Sequence, residues 1–112
     1  MAEFKILRHY MVDIDLPSVY DPYFISLIPG QRDRVNQLMQ QGVILSYALS
    51  VDRSKLWIVM LGSSTEDVSR FLESFPLFPY MQINVSELVF FNNAVHRMPE
   101  LSLNWFKRIH IS

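Results

Sequence analysis

The chain contains no cysteine. Disulfides, thiolate nucleophiles and thiolate metal sites are therefore excluded, and the composition suits a reducing compartment. Net charge is also scarce. Ten basic and eleven acidic residues leave −1, and they are interspersed rather than gathered into a basic stripe. Nucleic acid is accordingly not an expected partner. No apolar run approaches the roughly 20 residues of a membrane span. The opening Met1-Ala2-Glu3-Phe4-Lys5 lacks the basic and apolar regions of a signal peptide. A soluble cytoplasmic protein without a membrane partner is expected. There is no Gly-rich phosphate loop, Ser–His–Asp signature or zinc-ligand spacing.

What the chain does have is apolar bulk. Half of its 112 residues are hydrophobic, at the top of the range for a globular domain. That length supports one core, not two. A single small domain has too little interior for the surplus, which points to apolar surface buried against another subunit: a homodimer or higher homo-oligomer.

The pattern predicts six elements. Phe4 to Leu16 reads as a strand, with Phe4, Ile6, Tyr10, Val12 and Ile14 on one parity and His9, Asp13 and Asp15 on the other. Asp21-Pro22 is a helix start, with the N-cap carboxylate followed by proline at the first helical position. The helix runs to about Gln41 on the stripe Phe24, Leu27, Ile28, Val35, Leu38 and Met39, and Gly42 stops it. Pro29-Gly30 inside it predicts a kink or break. Val43 to Ser50 alternates, with Val43, Leu45, Tyr47 and Leu49 facing one way and Ile44, Ser46, Ala48 and Ser50 the other. The polar turn Asp52-Arg53-Ser54-Lys55 joins it to a strand over Leu56 to Leu61 as an antiparallel hairpin. Ser63 or Ser64 caps a second helix whose inner stripe is Val68, Phe71, Leu72 and Phe75. A last strand spans Met81 to Phe91.

The order strand, helix, strand, strand, helix, strand is the ferredoxin-like βαββαβ arrangement, an α+β fold with a four-stranded antiparallel sheet and two helices on one face. Residues 1–96 form that domain. Residues 97–112 complete an apolar tail, expected to pack on its own or a neighbouring subunit, with Trp105, Phe106 and Ile109 covering apolar surface.

Between the second helix and the last strand lies Phe75-Pro76-Leu77-Phe78-Pro79-Tyr80-Met81, followed by Gln82-Ile83-Asn84-Val85. Two prolines three apart fit neither a helix interior nor a central strand, so this is a stiff connector anchored by Leu77, Phe78 and Tyr80. It resembles the loop before the last strand of the muconolactone isomerase family, whose pattern Pro-Leu-Phe-Pro-Tyr-Met-x-Ile-x-Val is met at every fixed position from Pro76 to Val85. The resemblance runs without a gap from Gly42 to His96 and takes in Leu16-Pro17, Asp21-Pro22, Leu38, Val59 and Leu88. It implies a dimeric α/β barrel. It also implies an enzyme that shifts a lactone double bond by proton transfer without metal or organic cofactor, with a small molecule as ligand. The family's glutamate base falls on Gln31, or on Arg32 if the alignment shift is placed later, and its lysine falls on Ile28. A neutral amide cannot abstract a proton at ordinary pH.

Periodicity independently turns Gln31 inward, three residues after Ile28 and four before Val35. A buried amide needs partners, so Gln31 is either a structural amide or a ligand-orienting group. His9 is the candidate replacement base, because histidine titrates near neutrality. An edge or interface role fits it equally, and Asp13 and Asp15 share its face. Arg32 and Arg34 flank the helix stripe, where they can grip a carboxylate or simply be solvated. Tyr47 and Trp57 can stack on a ring or serve the core. No metal set is complete. His96 and His110 lie beyond the last strand and carry no expected role. Two functions follow. One is a cofactor-independent, isomerase-like protein acting on or binding a small lactone or carboxylated metabolite, its carboxylate replaced. The other is a non-catalytic ligand-binding or assembly protein of the same fold.

Overall fold

The computed structural model describes residues 6–93. Phe4, His96, His110 and the tail residues Trp105, Phe106 and Ile109, with the expectations attached to them, lie outside those residues. The elements are β1 (Arg8–Asp15), α1 (Pro22–Gln40), β2 (Ile44–Leu49), β3 (Lys55–Gly62), α2 (Thr65–Glu73) and β4 (Gln82–Leu88), with a single 3-10 turn at Phe78–Tyr80. The sheet order is β2-β3-β1-β4 and every pair is antiparallel. This is the ferredoxin-like α+β fold expected from the element order.

Alternation on β1 builds the core. Tyr10, Val12 and Ile14 are buried on one face, opposite Met60, Ile58 and Leu56 of β3, and they pack with Val35 and Leu38 of α1 and Val68 and Leu72 of α2. Removing that contiguous apolar surface from water is the main stabilising term. The other sheet face carries His9, Met11 and Asp13 of β1 beside Leu61, Val59 and Trp57 of β3. Lys55 closes one end of this face, its ammonium 2.9 Å from Asp13 and 2.7 Å from Asp15.

Helix α1 starts as its sequence dictates. The Asp21 carboxylate accepts the Phe24 N–H at 2.8 Å and Pro22 occupies the first turn. It ends at Gln40, and Gly42 two residues on has φ of 75°, the left-handed conformation that glycine adopts without strain. From there Gly42 N–H reaches the Met39 carbonyl and Val43 N–H the Leu38 carbonyl, which satisfies the last turn. The expected break at Pro29-Gly30 does not occur, and α1 is one continuous helix. Pro29 and Ile25, whose carbonyl loses a partner, are both exposed, so water can take the place of the missing bond.

Three other expectations are corrected. β2 does not alternate throughout: Ile44 pairs with Met60, but Ser46 pairs with Val59, so Leu45 is the extra residue of a β-bulge. The bulge puts Ile44 and Tyr47 on the same, helix-facing side. β1 begins at Arg8, with Ile6 and Leu7 exposed, and β4 ends at Leu88, beyond which Val89 and Phe90 are exposed. In the connector Leu77 is buried but Phe78 is 36% exposed, because the turn at Phe78–Tyr80 rotates the ring outward.

Candidate functional site

The helix-facing side of the sheet does not close completely on α1. A cavity of about 280 Å³ remains between α1, the β1–α1 loop, the end of the β2–β3 hairpin and the connector. Its walls are apolar, drawn from Leu16, Phe24, Ile28, Leu56, Leu77 and Met81. Its polar groups come from Tyr20, Gln31, Arg32, Tyr47 and Arg53. Apolar walls with a few convergent polar groups are the ordinary form of a small-molecule site.

Gln31 is the one buried polar residue of the described core, 3% exposed. Its Oε1 accepts the Leu77 N–H at 3.2 Å. The contact fixes the amide, since a main-chain N–H needs an acceptor and the NH2 must then point the other way. Nε2 is buried and has no hydrogen-bond partner among the described residues. A buried unpaired donor is costly, by about 1–3 kcal/mol, which marks it as a place for a ligand atom.

Tyr47 reaches the cavity because of the bulge before it. Burial pushes its phenol above the ordinary value, and a polar contact from the Gln31 side chain acts in the opposite direction; by distance and angle that contact falls outside a hydrogen bond, which leaves Gln31 Nε2 unpaired. Tyr20 stacks on Phe24 with ring centres 4.0 Å apart, and Phe24 meets Tyr80 edge-on at 5.0 Å. The Tyr20 hydroxyl donates to the Arg53 carbonyl at 2.6 Å, and Leu16 N–H donates to the Ser54 carbonyl at 2.9 Å. These bonds join the β1–α1 loop to the hairpin turn across the cavity mouth. Arg53 holds φ of 64° there.

The structure thus brings Gln31, Arg32 and Tyr47 together. It places the other candidates elsewhere. Arg34 donates to Ser74 Oγ at 2.8 Å and to Gln37 Oε1 at 3.2 Å, tying α1 to the end of α2. His9 and Trp57 lie on the opposite sheet face, His9 with its ring 5.8 Å from Phe91 and Trp57 39% exposed. The sequence pattern does not single out Tyr20 or Arg53 for the site. Tyr20 sits in a loop without periodicity, and Arg53 in a polar turn reads as solvated until the Tyr20 bond draws that turn over the cavity. None of the described lining residues is Asp, Glu or His. At neutral pH the cavity can orient and stabilise oxygen atoms, and its described lining residues offer no carboxylate or imidazole to take a proton.

The sheet order and the two helices define a ferredoxin-like α+β protein with a cavity under its first helix. A sequence profile described as muconolactone delta-isomerase matches residues 9–94, and the chain belongs to that family. The fold is similar to a crystal structure of muconolactone isomerase, with TM-score 0.62 and 24% sequence identity over 80% of this chain and 97% of that one. At that identity the likeness establishes the fold. No match is found among curated proteins.

Proposed function

We propose that the chain binds a small lactone or carboxylated metabolite in the cavity under α1, in the manner of an isomerase-like protein whose catalytic carboxylate is replaced by Gln31. The observation that carries this reading is the buried Gln31 amide, held by Leu77 and presenting an unpartnered NH2 in a cavity whose described lining residues include no carboxylate or histidine. The resemblance aligns the family's proton-transferring glutamate with that residue, or with Arg32 if the alignment shift is placed later. An amide there keeps the shape of a glutamate and loses its basicity. Of the two functions read from the sequence, the lack of a base among the described lining residues favours ligand binding without proton transfer. His9 on the other sheet face supports an interface role better than a base for this cavity. The same reading includes a homodimer formed through the open sheet face, on the strength of Trp57 and Met11 there, and a cytoplasmic location, on the strength of the missing cysteines.

Incubation with muconolactone is the direct test. Because a positioned acid or base contributes on the order of 10²–10⁴-fold, turnover should be undetectable against the uncatalysed rate. Robust turnover by the wild-type chain sinks the reading and makes His9→Ala the next experiment.

A further inference from the structure

The polar groups of the cavity have a common sign. Gln31 Oε1 is occupied by Leu77 N–H, which leaves only Nε2 to face a ligand. The raised Tyr47 phenol stays protonated at neutral pH and can donate. Arg32 and Arg53 line the cavity, and neither forms an ion pair with a described residue. The Tyr20 hydroxyl spends its proton on Arg53. Among the described side chains of the lining, the free groups are therefore donors and cations, with phenol oxygens as the acceptors. Such a set is poorly matched to a neutral C–H acid and well matched to an anionic oxygen on a small ring.

Resting on the reading above, we propose that the cavity is a receptor for a small cyclic enolate, the conjugate base of a tetronic-acid type of ring, and prefers it to the neutral lactone of the same size. Gln31 Nε2 and the Tyr47 hydroxyl donate to the enolate oxygen at the inner end. Arg32 and Arg53, both exposed, meet the delocalised charge at the mouth, where water and salt screen the attraction, so the buried Gln31 amide is the main selector. A glutamate at position 31 would place a negative oxygen where the NH2 now stands. A glutamine in place of the family's glutamate thus reverses which ligand the site accepts, as well as removing a base.

Calorimetric titration of the full chain at neutral pH with tetronic acid, a cyclic enol ionised under those conditions, and with γ-crotonolactone, its neutral counterpart, tests this. Tetronate should bind at least about tenfold more tightly, the difference expected between charged and neutral hydrogen bonds. Gln31→Glu should weaken tetronate by at least about tenfold and γ-crotonolactone much less. Should that variant fail to fold, Tyr47→Phe serves in its place, with a loss of about threefold or more for tetronate. Equal or tighter binding of γ-crotonolactone overturns the enolate preference while leaving the cavity as a ligand site. Binding of neither compound overturns both. Tetronate affinity unchanged in the tested variant overturns the assignment of the donors.

Discussion

The phenol of Tyr20 donates to the main-chain carbonyl of Arg53 at 2.6 Å, across 33 residues of sequence. The bond lies at the surface, and its effect on stability should be small. Tyr20→Phe is expected to cost less than about 1 kcal/mol in urea denaturation. Its larger effect falls on the mouth of the cavity, which the bond spans. Ligand dissociation measured by stopped flow should accelerate in the variant, while a rate equal to wild type would mean that the mouth opens elsewhere.

The two neighbours Leu77 and Phe78 should respond in opposite ways to truncation. Leu77 is 6% exposed and packs in the interior, so Leu77→Ala should destabilise by about 2–4 kcal/mol through the cavity it leaves. Phe78 points outward, and Phe78→Ala should change stability by less than about 1 kcal/mol. Denaturation midpoints at equal slope decide this. A larger loss at Phe78 than at Leu77 would contradict the orientation of the connector.

Alkaline pH should unfold the chain through its phenols. Burial is the first cause raising Tyr20, Tyr47 and Tyr80 above the ordinary value of 10.0. A raised folded value means that the protonated form is favoured in the folded state. Its contribution is complete below the unfolded value and is lost as pH rises through the folded one. Melting temperature should therefore hold up to about pH 10 and fall above it. Spectrophotometric titration of the phenols should follow the same limb. A fall that begins well below the phenol range would assign it to other groups.

Trp57 gives a test of assembly that leaves the cavity alone. It lies on the open sheet face, 39% exposed and opposite Asp13. Wild type should scatter light as a dimer at micromolar concentration. Trp57→Lys should shift it toward the monomer mass with an unchanged circular dichroism spectrum, since the indole is lost and desolvating an ammonium at an interface is costly even with Asp13 opposite. A wild-type chain that is monomeric and stable removes the interface.

Much of this was legible in the sequence, for identifiable reasons. The burial of Tyr10, Val12 and Ile14 follows from strand parity, and the inward turn of Gln31 follows from helical spacing; both depend on one element at a time. The paired prolines marked the connector because their backbone chemistry is local. What could not be read depends on partners. The bulge at Leu45 is a matter of how β2 meets β3, and no alternation pattern encodes it. The continuity of α1 through Pro29 depends on that residue lying on the exposed side. Arg53 entered the site only because Tyr20, distant in sequence, fastens its turn over the mouth.

The Gln31–Leu77 bond also makes the connector a listener to the cavity. A ligand that engages Nε2 holds the same side chain whose oxygen restrains Leu77, so occupancy should be felt in the main chain of the loop. The Leu77 amide proton would then exchange with deuterated solvent more slowly when the cavity is filled. One backbone site, far in sequence from α1, thus becomes a built-in reporter of occupancy that needs no label and no catalytic turnover.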